Sequence, residues 1–124
     1  MPWSVTVDSS AGVVTTVYAG LLPPAVLRQA VAATLQACVE HSCVKLLADC
    51  SGLEGGHTVM DLYDAATELG ATPGSSLLKE AVLVPLMPDA ADTVAFWETA
   101  AVNRGIQVKL FTNRDDALVW LLAD

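Results

Sequence analysis

The sequence predicts a single α/β domain: an N-terminal β-hairpin, then βα repeats, giving a mixed, mostly parallel sheet flanked by helices. Three observations lead there. After two β-rich runs, short apolar runs alternate with segments of helical periodicity, the pattern of a parallel sheet built by crossovers. The chain has 124 residues, which suits one domain covering 1-124 and burial of about two-thirds of the unfolded surface. Hydrophobic residues make up 53% of it, mostly Ala, Val and Leu, so core material is plentiful.

Each element follows from its residues. Trp3 to Val7 alternates with Val5 and Val7 on one face, and Val13 to Ala19 is rich in Val, Thr and Tyr. The turn residues Asp8-Ser9-Ser10-Ala11-Gly12 join the two as a hairpin. Pro23-Pro24 opens a helix, because proline in a first turn gives up only an N–H that has no helical partner. Leu27, Val31, Leu35 and Cys38 then recur at helical steps, predicting one apolar face and an end near His41. Val44 to Ala48 reads as a buried strand ending at Asp49, and Ser51 to His57 as a glycine-rich loop. Thr58 with Asp61 forms a capping-box pattern for a second helix with Val59, Leu62, Tyr63, Ala66 and Leu69 inward and Gly70 at its end. Ala71 to Ser76 is a turn, and Ala81 to Leu86 a buried strand stopped by Pro85 and Pro88. Asp89 with Asp92 starts a third helix by the same capping logic, and Gly105 ends it. Ile106 to Phe111 is a strand, and Asn113 with Asp116 caps a last helix with Ala117, Trp120 and Leu121 inward.

Charge excludes some partners. Six basic against fourteen acidic residues leave a net charge of −8, too few cations for a phosphate-binding stripe, so neither nucleic acid nor an anionic membrane surface is expected as a partner. The longest uncharged run, Ser9 to Leu27, is broken by Gly12, Gly20, Pro23 and Pro24 and does not read as a membrane span. Met1-Pro2-Trp3-Ser4 lacks the basic and apolar regions of a signal peptide, so a cytoplasmic protein is expected. Cys38, Cys43 and Cys50 are odd in number and form no CxxC, so reduced, buried thiols are expected rather than a disulfide framework.

The element order, with Leu46-Leu47-Ala48-Asp49-Cys50-Ser51-Gly52-Leu53 at the central strand, resembles the SpoIIAA-like, or STAS, fold. Phe96-Trp97-Glu98-Thr99-Ala100, Asn103-Arg104-Gly105, Val108 to Arg114 and Ala117 to Leu121 resemble a bacterial SpoIIAA-like group carrying the label STAS/SEC14-like. The first resemblance implies a regulatory module that works through protein partners, as the anti-sigma-factor antagonists do. The second implies a carrier of a small apolar ligand. The antagonists carry Asp-Ser-Ser-Gly at a helix start, where this chain has His57-Thr58-Val59-Met60, so the phosphoacceptor position falls on Thr58 without the neighbouring acid and glycine.

Candidate chemistry gathers in two places. Asp49, Cys50, Ser51, His57 and Thr58 lie where open α/β sheets place ligands, beyond a strand's C-terminal end. Thr58 is either a plain N-cap or a phosphoacceptor stabilised by free helix N–H groups. Cys50 or Ser51 with His57 as base would make a hydrolase, yet no GxSxG elbow is present, and no catalytic residue is assigned. Asp49 is also suited simply to bonding loop N–H groups. Cys38, His41, Cys43, Cys50 and His57 match no zinc spacing, so no metal and no cofactor is expected. Asp61, Asp64 and Glu68 share one helical face, suited to a cation or merely to water.

The second place is Phe96, Trp97, Glu98, Asn103 and Arg104. Phe96 and Trp97 point about 100° apart on a helix, so they are either both covered by neighbouring elements or one marks an interface. Arg104 either closes the helix C-terminus or pairs with a carboxylate inside or across subunits. The first expectation for function is a non-catalytic regulatory module acting through a protein partner or as a homodimer. A carrier of a small apolar ligand stands second, and a Cys/Ser hydrolase last.

Overall fold

The computed structural model describes residues 2–123; Met1, the first residue of the signal-peptide reading, and Asp124 lie outside the described residues. Five strands form one sheet in the order β1-β2-β3-β4-β5: β1 (Trp3–Asp8), β2 (Val13–Leu21), β3 (Lys45–Gly55), β4 (Lys79–Leu83) and β5 (Gln107–Phe111). The β1–β2 hairpin is antiparallel and every later pair is parallel. Helices α1 (Pro24–His41), α2 (Val59–Ala71), α3 (Pro88–Val102) and α4 (Arg114–Leu122) follow β2, β3, β4 and β5 in turn. The coarse α/β expectation therefore holds, hairpin and mixed sheet included.

Because the parallel strands are laid down in one direction, crossovers of a single hand put their helices on the same face. Residues of α1, α2 and α3 accordingly pack together with Val14, Leu46, Ala48, Cys50, Val82 and Val108. On the other face α4 packs Ala117 and Leu121 against Val13, Leu47, Ala81 and Leu83. Both faces of the sheet are covered, so its central strands are apolar on both sides rather than alternating with polar residues.

Four expectations about boundaries are corrected. The residues Ser51 to Gly55 are strand, not loop: Ala19, Gly20 and Leu21 pair with Gly52, Leu53 and Gly55, and these backbone hydrogen bonds override a turn-like composition. β3 gains a residue against β2 between the Val17↔Asp49 and Ala19↔Gly52 pairs. That bulge reverses the alternation, so Cys50 and Leu53, three apart, both join the core beneath the helices. The third helix is not capped by Asp89; its N-cap is Met87 with no side-chain bond, and Pro88 occupies the first turn. The β4 run starts earlier and stops earlier than Ala81 to Leu86, because Val84 and Leu86 donate to Phe111 and Ser51 outside a regular ladder. Gly70 lies within α2, where the Arg104 side chain passes at 3.1 Å from the place a Cβ would occupy.

The capping signals of the second and fourth helices are realised. Thr58 Oγ1 accepts from Asp61 N while the Asp61 carboxylate accepts from Thr58 N. Asn113 accepts from Asp116 N at 2.8 Å. Cys38, Cys43 and Cys50 are buried free thiols. Among the described residues no helix is long and apolar enough to cross a membrane.

Candidate functional site

The residues expected to cluster beyond β3 separate in part: Cys50 and His57 line one cavity on the three-helix side, whereas Asp49 and Ser51, the neighbours of Cys50, face the other side of the sheet. Ser51 Oγ donates to Asp49 Oδ1 at 2.6 Å. Burial drives the Cys50 thiol far above its ordinary range, with the nearby Glu80 and Asp49 charges adding to the effect, so it is a poor nucleophile. His57 Nδ1 faces the Leu22 carbonyl at 2.9 Å; a carbonyl only accepts, so Nδ1 carries the proton and holds the ring against the end of β2. Thr58 is exposed and occupied by the capping box, its Oγ1 donating to Asp61 Oδ2 at 3.0 Å. The Asp49–Thr58 group is therefore divided: Cys50 and His57 share a cavity, Ser51 bonds Asp49 away from it, and Thr58 is held in the helix cap.

What does converge is a cavity between the sheet and α1, α2 and α3. It has a volume of about 70 Å³, is partly open to solvent, and is walled mainly by aliphatic side chains. Val31 and Leu35 of α1, predicted as core, are only partly buried because they face this space. Along β3 the lining runs from Leu46 to Leu53, roughly 20 Å of strand, so the space is long and narrow. His57 and Leu53 stand at one end of the sheet, and Glu80 and Leu46 toward the other.

Glu80 was not singled out by the sequence, and it is the unusual member. Its partners in register are Leu46 and Val108, and with Val82 it points into the three-helix core. Trp97 Nε1–H donates to Glu80 Oε1 at 2.7 Å. The other oxygen has no hydrogen-bond partner among the described residues and is not fully buried, and Glu80 lines the cavity. Burial raises the Glu80 carboxyl from its ordinary 4.5 to about 7, while the Trp97 bond pulls it partly back. Tyr18, also on the lining, is raised by burial first and then by Cys50 and Glu80. No Lys or Arg lines the cavity among the described residues, so the carboxylate has no cation.

The way in lies between α1 and α2. These two helices barely touch, whereas α2 packs closely on α3. Two surface grooves of about 280 and 170 Å³ occupy the seam and share Leu27, Val31, Leu35, Ala65 and Leu69 with the cavity. Their rim carries Asp61, Asp64 and Glu68 against a single Arg28. The backbone N–H and hydroxyl of Thr58 hold the Asp61 carboxyl below its ordinary range, so it is charged at neutral pH. The wall beside His57 rests on a close backbone approach: Gly56 has φ +103°, and a Cβ there would meet the Leu22 backbone at 2.7 Å.

The second predicted group is used inside the fold. Trp97 turns inward to Glu80, and Phe96 is partly buried against the core. Glu98 Oε2 accepts from Leu110 N on the edge strand β5 at 3.3 Å. Arg104 donates to the Ala100 carbonyl and to Thr67 Oγ1 and lies 4.5 Å over the Tyr63 ring, joining α2 to α3. Asn103 is exposed at the end of α3 and donates its backbone N–H to Thr99. Among the described residues no three His, Cys, Asp or Glu side chains gather as a metal site requires. No family model, curated protein or solved structure matches the chain.

Proposed function

We propose that this protein is a non-catalytic, STAS-like binding module of the cytoplasm whose ligand is small and largely apolar. One observation carries the reading: a partly open aliphatic cavity between the sheet and three helices contains a carboxylate that the protein leaves without a cation. A polar group buried among aliphatic side chains destabilises the fold, and a few convergent polar groups in an apolar pocket are what orients a ligand. The Glu80 oxygen, the Trp97 indole and the Tyr18 ring supply that orienting end. Native mass spectrometry of the freshly purified protein tests this: a bound mass is expected that disappears when Val31→Trp fills the cavity. A ligand-free wild-type spectrum, with no uptake from a library of small apolar compounds by the folded protein, removes the reading.

A second reading, a regulatory module that self-associates, is supported by exposed apolar side chains at the end of the sheet near Thr58. Val59 is 45% exposed, Met60 63% and Leu86 85%. Light scattering coupled to size exclusion at high micromolar concentration checks it: a dimer is expected, disrupted by Met60→Lys, and a strict monomer removes it.

A further inference from the structure

Resting on the ligand-binding reading above, we infer that the ligand is an alkylamine bound as its ammonium ion, with the head against Glu80 and the chain along the aliphatic cavity toward the seam between α1 and α2. Three independent features point the same way. The carboxyl-bearing residue on the lining, Glu80, has one oxygen bonded to Trp97 and no hydrogen-bond partner for the other among the described residues. No cationic side chain of the lining competes for it among the described residues. The approach is acidic as well: Asp61, Asp64 and Glu68 outnumber Arg28 on the rim, so the field at the entrance attracts cations and repels anions.

The same features reject other amphiphiles. A fatty-acid carboxylate would meet Glu80 without any counter-charge, an arrangement that low-dielectric surroundings penalise heavily. A neutral alcohol would satisfy the open oxygen with one hydrogen bond but would bring no charge to favour the ionised form of the carboxyl. An ammonium group supplies both the donor and the charge. Size sets the rest. An engineered apolar cavity of about 150 Å³ accommodates benzene, so the 70 Å³ present takes only a few heavy atoms. A short unbranched chain matches the long, narrow lining, with its far end toward the grooves.

The test compares three four-carbon probes of different head group: butylamine, 1-butanol and butyrate at pH 7. Binding is followed by the indole N–H resonance of Trp97 and by the carboxyl carbon resonance of Glu80 in labelled protein. The expected result is butylamine binding at least tenfold tighter than either other probe, with the Glu80 carboxyl moving to its ionised position as the amine binds. In Glu80→Gln that preference is expected to vanish while 1-butanol binding persists. The carboxyl resonance keeps the idea testable in the wild-type protein even should the variant fold poorly. Equal or tighter binding of 1-butanol or butyrate overturns the amine assignment and leaves the apolar-ligand reading intact. Butylamine binding that leaves both resonances unmoved also overturns it. Failure of all three probes to bind the folded wild-type protein overturns both.

Discussion

Lys79 and Glu80 are neighbours on the same strand, point to opposite faces of the sheet and are treated in opposite ways. Lys79 Nζ donates to the carbonyls of Trp120 and Ala123 at 2.6 and 2.9 Å and lies 4.5 Å over the Trp120 ring. Its charge satisfies the open end of α4, where the helix dipole favours a cation. Glu80 has one indole N–H and an aliphatic cavity. The α4 face is thus a solid layer in which even a charge is fully employed in holding the fold together. The three-helix face retains an opening and a charge that stability alone does not explain. Function is read from the second face because the first shows what the same strand does when only packing is at stake.

The comparison is most strongly tested by cutting equivalent aliphatic groups on the two faces. Leu121 is fully buried under α4, and Leu121→Ala is expected to destabilise by about 2–5 kcal/mol. Leu35→Ala, on the cavity wall, is expected to lose about half as much, because part of its surface already lacks contacts. Urea unfolding of both variants measures the difference; equal losses would show that the cavity wall packs as tightly as the α4 face.

Next in size is the pH dependence created by Glu80. In the folded chain its carboxyl holds a proton up to about pH 7, and in the unfolded chain it releases it near 4.5. Between those values the folded state binds more protons, so stability falls as pH rises through this window and levels off above it. The full fall is roughly 3 kcal/mol at 1.36 kcal/mol per unit. Glu80→Gln is expected to be more stable than wild type at pH 8 and to lose that advantage below pH 5. Subtracting the two urea curves cancels every other titrating group. A difference that does not change with pH would place the Glu80 charge in a well-solvated setting.

Removing the other charge gives a smaller change of opposite sign. Lys79→Met strips the carbonyls of Trp120 in α4 and of Ala123 just beyond it of their donor and is expected to destabilise by about 1–2 kcal/mol at pH 8. A more stable Lys79→Met would mean that both charges of the strand are burdens. Smallest is Thr58→Ala, which removes the capping box and is expected to lose about 1 kcal/mol in thermal or urea unfolding without altering butylamine binding. Lost binding in a folded Thr58→Ala variant would instead tie the start of α2 to the cavity.

Much of the fold was legible because its signals are local. The hairpin turn, Pro23-Pro24, and the three-residue spacings Thr58/Asp61 and Asn113/Asp116 depend on neighbours in the chain. The extension of β3 through Gly55 was not legible, since it depends on hydrogen bonds from β2, a partner that no local pattern names. The site was hidden for a related reason. Lys79-Glu80 ahead of an apolar run looks like a solvated border, and with both faces of β4 covered there is no alternation to reveal which charge points where. One signal was available: Glu80 is two residues from Val82, so a strand beginning at Lys79 puts the acid on the same face as that core valine. Phe96 and Trp97 were legible as a pair pointing about 100° apart, but without Glu80 opposite, the indole lacked a reason to be the one turned inward.

The strand order also governs how the chain emerges during synthesis. Every parallel crossover lays its helix on one side, so β2 through β5 can all be made and paired while the opposite side of the sheet stays bare. Val13, Leu47, Ala81 and Leu83 wait for residues 114–122, the helix that covers them. A ribosome that stalls before α4 therefore presents a nearly finished sheet with one greasy side, a natural target for a chaperone and, without one, for another sheet like itself.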